Sequence, residues 1–301
     1  MSAEAISTTT RRVERPGGVG IVTDLVLPER RPLARPGFLL VHGLASNARL
    51  YDGVAGALAD AGHPSALVDL RGHGRSDKPD DGYDYDTLCD DLRAVLASLK
   101  ADPGNAFERP VAVGQSFGGN LVLELAARVG SELSGVACID GGTIDLKERF
   151  SSLEEARRVL KPPALDGTPY DELAERFSSA HPDWPEEGVR GSLANFEVRP
   201  DGSVAPWLTL ERHLKILETM WSSRPSDIYP RIEIPVLLIP AETPGADSDW
   251  VRSKRKGAVS ALAALERAEV RWFSPADHDV HAQFPREVAA VLLEAADELF
   301  E

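Results

Sequence analysis

The sequence predicts an α/β protein with a mostly parallel, twisted sheet and helices on both of its faces. Short apolar runs bounded by glycine or proline alternate with helical segments over residues 21–142 and again over residues 231–301. Such runs are typical of buried strands, and strands that alternate with helices favour a parallel sheet. The alternation stops between these two regions, which indicates that residues 143–230 are an insertion.

The predicted elements follow from the apolar runs and from the glycines and prolines that end them. Residues 1–12 show no such pattern and are expected to be frayed. Strands are predicted at residues 21–27, 38–41, 65–70, 110–113, 135–139, 235–239 and 269–273. Helices are predicted at residues 48–61, 85–100, 117–129, 250–266 and 285–300.

The insertion predicts a mainly helical cap, or lid, on an α/β core. Residues 143–230 contain helical pieces, many prolines and a hairpin-like stretch at residues 196–205 that turns at the sequence PDG. The core then consists of residues 1–142 and 231–301.

Composition and charge narrow the classes of function. The chain has 301 residues, of which 43% are hydrophobic and 27% charged, as is ordinary for a soluble globular protein. Its 48 acidic residues outnumber its 33 lysines and arginines, so the formal net charge is −15. Because such a surface repels phosphate groups, neither nucleic acid nor a membrane is an expected partner. The basic run at residues 252–256 is predicted to be a solvated helix face.

The cysteines and the N-terminal residues bear on the compartment. Cys89 and Cys138 lie among apolar residues outside any CxxC or Cys/His cluster, so neither a disulfide framework nor a metal site is predicted. Residues 1–12 lack an apolar stretch of signal-peptide length, and no run approaches the roughly 18 apolar residues of a membrane span. The sequence therefore favours a cytoplasmic protein, and a homodimer is compatible with it.

The most specific motif is the segment GQSFGG at residues 114–119. It follows a predicted strand and begins a predicted helix, which is the context of a nucleophile elbow. The tight turn exposes the hydroxyl of Ser116, and Gly114 and Gly118 keep side chains out of the turn. The helix N-terminus behind Ser116 favours developing negative charge. We therefore expect Ser116 to be a nucleophile.

A second motif, VHGL at residues 41–44, follows an earlier predicted strand. The oxyanion that forms when a carbonyl is attacked needs preorganised donors, each worth about 3 kcal/mol of the barrier. The backbone N–H of Phe117 is one expected donor, and the backbone N–H of Leu44 is the other. The side chain of His42 is expected only to shape this loop.

A general base is expected among the seven histidines of the chain. His278 lies between the last predicted strand and the last predicted helix, and triads on this architecture run in the order serine, acid, histidine. The alternatives are a solvated loop histidine and a metal pair formed with His281. The metal pair lacks a third ligand at a sensible spacing, so no metal is predicted.

Together these motifs resemble those of α/β-hydrolase-fold serine hydrolases. The matching pieces are His42-Gly43, the sequence RGHGRS at residues 71–76, the Ser116 elbow, and His278 followed by Pro285, all in the order of the family. The resemblance implies the α/β-hydrolase fold and a triad of Ser116, an acid and His278, with no cofactor. The buried acid of such a triad fixes the imidazole tautomer and stabilises the imidazolium.

The acid is where the sequence departs from the commonest family pattern, a Gly-x-x-Asp turn after the strand that follows the cap. The expected position holds Pro244, and Glu242, Asp247 and Asp249 are nearby alternatives. The other known location is the end of the strand before the cap, which Asp140 occupies; some haloalkane dehalogenases resemble this arrangement. Asp140 is the acid that we predict, and the other three carboxylates stay open.

The resemblance implies hydrolysis of a carboxylic ester, or a related acyl bond, through an acyl-enzyme on Ser116. A serine at this position argues against epoxide hydrolases and dehalogenases, which use aspartate. Lactonase, thioesterase, carbon–carbon bond hydrolase and perhydrolase activities are alternatives within serine chemistry. A receptor that binds a ligand without turnover is an alternative of another class.

Aromatic residues of the insertion predict the type of substrate. Trp184, Trp207 and Trp221, with Phe196 and Met220, are candidates to line an apolar pocket. Their alternative role is to form the core of the cap itself. The expected partner is a small-to-medium, apolar, ester-like molecule.

Overall fold

The computed structural model describes residues 7–29, 35–101, 106–243 and 249–300. The strands are β1 (Ser7–Arg15), β2 (Val19–Leu27), β3 (Phe38–Val41), β4 (Ser65–Asp69), β5 (Val111–Gln115), β6 (Gly135–Ile139), β7 (Phe196–Val198), β8 (Val204–Pro206), β9 (Val236–Ile239) and β10 (Ala268–Val270). The helices are α1 (Asp52–Asp60), α2 (Tyr85–Lys100), α3 (Phe117–Val129), α4 (Leu146–Arg149), α5 (Leu153–Val159), α6 (Tyr170–Ala180), α7 (Glu186–Leu193), α8 (Leu210–Ser222), α9 (Pro225–Ile228), α10 (Asp249–Ala264), α11 (Val280–Gln283) and α12 (Pro285–Glu298).

The central sheet has eight strands in the order β1-β2-β4-β3-β5-β6-β9-β10. The strand β2 pairs antiparallel with both β1 and β4, and the pairs from β4 to β10 are parallel. This is the α/β-hydrolase fold that the sequence predicts. Because the parallel strands all point the same way, the loops after β3, β5, β6 and β9 meet at one edge of the sheet.

Both faces of the sheet are covered by helices. The side chains of β3 show this, because they point alternately to the two faces. Leu39 and Val41 belong to the apolar cluster that contains the buried side chains of α2 and α3. Phe38 and Leu40 belong to the cluster that contains those of α1 and α12. Successive residues of a strand point to opposite faces, so an entirely apolar strand such as β3 indicates burial on both sides.

The prediction that residues 1–12 are frayed is wrong for residues 7–12. They belong to β1, which pairs with β2 in register from Ser7 opposite Leu27 to Arg15 opposite Val19. The strand is mostly exposed and polar, so it lacks the apolar alternation by which a half-buried strand is found. Its backbone hydrogen bonds to a neighbouring strand form it instead.

The insertion between β6 and β9 consists of helices α4 to α9 and the antiparallel hairpin of β7 and β8. Polar contacts fasten it to the loops of the core. Asn47 Nδ2 donates to the carbonyl of Gly191 (2.8 Å), and Thr219 Oγ1 donates to the carbonyl of Tyr83 (2.8 Å). That residues 143–230 act as a cap domain, with the core divided at residues 142 and 231, stays a prediction.

Two further features of the described ranges concern membrane-spanning helices and cysteines. None of their helices is both long enough and apolar enough to cross a membrane. Cys89 and Cys138 are free thiols and both are buried.

Candidate active site

Ser116 lies in a strained turn between β5 and α3. Its φ of 54° and ψ of −121° are unfavourable for a residue with a side chain, and such strain costs on the order of 1–3 kcal/mol. Hydrogen bonds on both sides hold the turn: the Ser116 N–H donates to the carbonyl of Ile139 (2.9 Å), and the N–H of Gly119 donates to the carbonyl of Ser116 (2.9 Å). The segment therefore has the geometry of an elbow.

Steric exclusion explains the glycines on either side of Ser116. A Cβ at Gly114 would lie 2.0 Å from the carbonyl oxygen of Gly118, and a Cβ at Gly118 would lie 2.4 Å from that of Val41. Both distances are far inside van der Waals contact, so a side chain at either position would push the helix away from the strand. The glycines thus allow the close approach of α3 to β5 and β3.

The loop after β3 brings Leu44 to the same cavity as Ser116. His42 fastens this loop, because its Nε2 accepts a hydrogen bond from the N–H of Leu70 (3.0 Å) and its Nδ1 lies 2.8 Å from the carbonyl oxygen of Gly43. Burial lowers the pKa of His42 to about 4, so its ring is neutral at pH 7. Phe117 is the first residue of α3, where a helix leaves its N–H groups without intrahelical partners.

Asp140 and His278 are in contact, although 138 positions separate them. The Nδ1 of His278 lies 2.5 Å from Oδ2 of Asp140, which is 4% exposed. The other oxygen of Asp140, Oδ1, accepts from the N–H of Ala241 (2.9 Å). Burial raises the pKa of Asp140, but the bonds and charges of His278 and Lys254 outweigh burial and hold that pKa below its ordinary value. The carboxylate is therefore ionised at neutral pH.

The pKa of His278 is shifted in the opposite direction. Desolvation lowers it, the hydrogen bond and charge of Asp140 raise it more, and the net effect is a pKa above the ordinary 6.5. The side chain keeps 52% of its surface accessible. Because Asp140 occupies Nδ1, the ring nitrogen Nε2 is the one left for proton exchange.

Lys254 is a third member of this cluster, and it was not predicted from the sequence. Its Nζ donates to Oδ2 of Asp140 (2.6 Å) and to the carbonyl of Ala241 (2.7 Å). The prediction that residues 252–256 form a solvated face is therefore wrong at this position. The signal was helical periodicity, because position 254 shares a face with the buried residues of α10, which are Val251, Ala258 and Ala261.

Two of the three alternative acids pair with arginines, and the third is not among the described residues. Glu242 pairs with Arg255 (2.6 Å), and Asp249 pairs with Arg252. Asp247 lies outside the described residues. Within the part that is described, Asp140 is the predicted acid that the fold brings to His278.

Ser116, Asp140 and His278 line one cavity of about 470 Å³, together with Leu44. The insertion contributes much of the opposite wall, which is mainly apolar and includes Leu146, Leu160, Leu217 and Met220. Trp250 and Lys254 of α10 and Arg149 of α4 complete it. Trp250 and Arg149 were not predicted from the sequence, because nothing in the local pattern links α4 and α10 to the elbow.

The three tryptophans predicted to line the substrate pocket are not among the residues that line this cavity, and we correct that prediction. Trp184 packs with Leu50 and Ala282, and Trp221 packs against the main apolar cluster. The Nζ of Lys78 lies over the ring of Trp207, 4.5 Å from the ring centroid. Their rings are used in packing the insertion against the core.

Of the other two candidates, Met220 and Phe196, one lines the cavity and the other packs within the insertion. Met220 lines the cavity, although the neighbouring Trp221 does not. Successive residues of a helix point about 100° apart, which separates these neighbours on α8. Phe196 packs inside the insertion, against the cluster that contains Leu173 and Leu193.

His278 lines the cavity, whereas His281 is not among the residues that line it. No group of three or more metal-ligating side chains occurs in the described ranges. His281 is fully buried, and its ring packs on that of Tyr51 with centroids 4.6 Å apart. Burial lowers the pKa of His281 to about 4, so the ring is neutral at pH 7.

The fold and this cavity define the class of protein. A model of the alpha/beta hydrolase family matches residues 38–291, which is most of the chain. The protein belongs to the alpha/beta hydrolase family.

Relatives of several kinds match parts of the chain. The 2-(acetamidomethylene)succinate hydrolase of Mesorhizobium japonicum is 31% identical over 145 residues, which are 48% of this chain and 47% of that protein. The monoacylglycerol lipase of Mycolicibacterium smegmatis is 30% identical over 168 residues, 56% and 58% of the two chains. AB hydrolase superfamily protein YisY of Bacillus subtilis is 36% identical over 90 residues, 30% and 31%. The chain thus spans less than two thirds of the length of each of these relatives.

Solved structures match the whole fold. The crystal structure of E-2-(acetamidomethylene)succinate hydrolase has a TM-score of 0.73 at 20% identity and covers 97% of this chain and 100% of that one. The thioesterase domain from the curacin biosynthetic pathway has a TM-score of 0.74 at 18% identity, with 95% and 99% covered. At these identities the likeness concerns the fold alone.

Proposed function

We propose that the protein is a serine hydrolase that cleaves a carboxylic ester, or a related acyl bond, of a small-to-medium substrate. The observation that carries the proposal is the 2.5 Å contact of His278 Nδ1 with Asp140 Oδ2 in the wall of a cavity that Ser116 also lines. A carboxylate held on one nitrogen of an imidazole orients the other nitrogen as a base. The strained backbone of Ser116 and membership of a hydrolase family support the same conclusion.

The proposed reaction has two halves. Ser116 Oγ attacks the carbonyl carbon while His278 Nε2 takes the hydroxyl proton, and the N–H groups of Leu44 and Phe117 stabilise the oxyanion. The intermediate collapses to an acyl-enzyme, and His278 gives its proton to the leaving alcohol. Water then attacks the acyl-enzyme with His278 again as base, which releases the acid and restores Ser116. Asp140 stabilises the imidazolium in both halves.

The test is labelling of the purified protein with a fluorophosphonate, with the adduct mapped by mass spectrometry. We expect a stoichiometric adduct on Ser116 and none on the Ser116→Ala variant, because the reagent attacks only an activated serine. The absence of an adduct under conditions that label a known esterase would overturn the proposal. The alternative of a ligand-binding receptor without turnover would then take its place.

The leaving group is a separate question within the same chemistry. Relatives carry the names of a monoacylglycerol lipase and of a non-heme chloroperoxidase, and a similar structure is a thioesterase domain. A panel of an ester, a lactone, a thioester, a β-diketone and a peracid-forming assay distinguishes esterase from lactonase, thioesterase, carbon–carbon bond hydrolase and perhydrolase. We expect the highest kcat/KM for the ester.

We also propose that the protein works in the cytoplasm on a small molecule, without nucleic-acid or membrane partners, and that it forms a homodimer. The net charge of −15 supports the exclusion of anionic partners. Light scattering after gel filtration and a flotation assay with anionic vesicles test these points. A larger assembly, or co-flotation with the vesicles, would contradict them.

A further inference from the structure

Among the described residues, the cationic side chains of Lys254 and Arg149 line the cavity, and of these two only Lys254 has an anionic partner there. The Lys254 ammonium bonds to Asp140. Arg149, at the C-terminal end of α4, makes no hydrogen bond or ion pair within the described ranges. Its Nε and Nη1 are buried there without a partner. The cavity wall therefore holds a cation whose charge is not paired by any described residue.

This is unusual in a chain with 48 acidic residues and 33 lysines and arginines. The two carboxylates near α4 have other partners. Asp145 caps α4 by accepting from the N–H groups of Lys147 (2.9 Å) and Glu148 (3.2 Å). Asp249, whose charge acts on Arg149, pairs with Arg252.

The orientation of the Arg149 guanidinium is defined by stacking. It lies on the face of Trp250, with Cζ 3.0 Å from the ring centroid, and Phe150 is 5.8 Å away on another side. Stacking covers one face of the planar group, and the N–H groups at Nε and Nη1 have no acceptor among the described residues. Desolvation of an unpaired cation is costly, and here burial lowers the pKa of the guanidinium. An anion that bonds to the edge would remove that cost.

We infer that Arg149 binds a carboxylate group of the substrate. A guanidinium edge matches the two oxygens of a carboxylate in a bidentate pair. The remaining wall is mainly apolar, so the substrate is an acyl chain that carries one acid group besides the scissile bond. A doubly charged phosphate fits less well, because Asp140 and Asp145 line the same cavity. This inference rests on the proposed function, and it narrows the apolar substrate class to monoesters of dicarboxylic acids.

The test compares two activated esters of similar length, the mono-4-nitrophenyl ester of glutaric acid and neutral 4-nitrophenyl hexanoate. We expect the wild-type protein to prefer the acidic ester. Arg149→Met should lower kcat/KM for that ester by about tenfold to hundredfold, as loss of a charged hydrogen-bonded pair predicts, and change the neutral ester by less than about threefold. Arg149→Lys, which keeps the charge, should retain part of the preference.

The control is Arg93→Met, which removes the same charge from an exposed site paired with Asp90. It should leave the ratio of the two esters unchanged. Equal effects of Arg149→Met on both esters, or a wild-type protein without preference for the acidic ester, would overturn the inference. Hydrolysis of both esters would still support the proposed function, so the two failures are distinguishable.

A second readout does not depend on turnover. In the Ser116→Ala protein, calorimetric titration with the glutaric monoester should give tighter binding than in the Ser116→Ala, Arg149→Met double variant, again by about tenfold or more. Competition by inorganic phosphate as strong as by glutarate would indicate a site for any anion and would overturn the choice of a carboxylate. Equal affinity of the single and double variants would overturn the role of Arg149.

Discussion

The two sides of the candidate active site are built in different ways. The nucleophile side is one continuous segment, residues 114–119, whose shape depends on contacts between neighbours in the chain. The acid–base side joins Asp140, Lys254 and His278, which come from three separate segments. The first can be identified in a sequence by its motif, whereas the second exists only after the sheet has formed.

Strand order explains how the second side is assembled. The strands β6 and β9 are parallel neighbours, and Ile139 pairs with Ile239 in register. Asp140 therefore emerges beside the end of β9, where its Oδ1 accepts from the N–H of Ala241. The carbonyl oxygen of Ala241 accepts a hydrogen bond from Lys254 Nζ, which α10 brings to this point. Asp140, at the end of the strand next to β9, thus reaches His278 without an insertion in the turn after β9.

The largest expected effect on activity comes from removing the nucleophile. Ser116→Ala should lower kcat/KM for an activated ester by about ten-thousandfold or more, because no other group can form the acyl-enzyme. Steady-state hydrolysis and thermal melting measure this, and the melting temperature should stay close to that of the wild-type protein. Retention of most of the activity would place the nucleophile elsewhere.

The next effect tests the assembly of the acid–base side. Asp140→Asn should lower kcat by about a thousandfold to ten-thousandfold, because the amide neither fixes the imidazole tautomer nor stabilises the imidazolium. Glu242→Gln and Asp249→Asn are matched controls, and both should stay within about twofold of the wild-type rate. A larger loss from either control than from Asp140→Asn would identify a different acid.

A smaller effect is expected on stability from the nucleophile side. Gly118→Ala places a Cβ 2.4 Å from the carbonyl oxygen of Val41 and 2.5 Å from that of His42. We expect the free energy of unfolding to fall by about 3 kcal/mol, since the backbone must move to relieve the overlap. Urea denaturation measures it, with Gly56→Ala as the control because the space around Gly56 is open. Equal stability of the two variants would show that the elbow is not closely packed.

The smallest effect concerns the pH dependence set by the acid–base side. The base must be neutral to work, so kcat/KM falls as the pH drops through the pKa of His278. Desolvation and the charge of Lys254 lower this pKa, whereas Asp140 and Asp279 raise it. Lys254→Met removes one lowering influence, so the acid limb of the pH profile should move to higher pH.

Lys256→Met is the matched control for that shift, because Lys256 is exposed and pairs with Glu148 on the surface. Its acid limb should coincide with that of the wild-type protein. An acid limb of Lys254→Met that is unmoved, or that moves to lower pH, would show that the lysine acts on packing and not on the charge of the base.

Sequence-based prediction succeeded where a structure follows from neighbouring residues. The helices at residues 85–100 and 117–129 and the strands at residues 38–41 and 135–139 have the predicted bounds. It failed at β1, which is formed by pairing with β2 and has no apolar face of its own. The prediction for the three tryptophans failed for a related reason, because composition does not say which way a side chain faces once the insertion packs on the core.

The sequence alone was enough for an α/β fold with a mostly parallel sheet, the elbow around Ser116 and the loop of His42, because apolar periodicity and glycine sterics act over a few residues. The α/β-hydrolase fold followed from the resemblance of its motifs to those of the family. The contact of Asp140 with His278, and the places where Lys254 and Arg149 put their charges, emerged only from the tertiary structure. These contacts depend on strand order and on the packing of α4 and α10 over the sheet. Such long-range contacts are selected by the burial of whole surfaces, and a local pattern does not encode them.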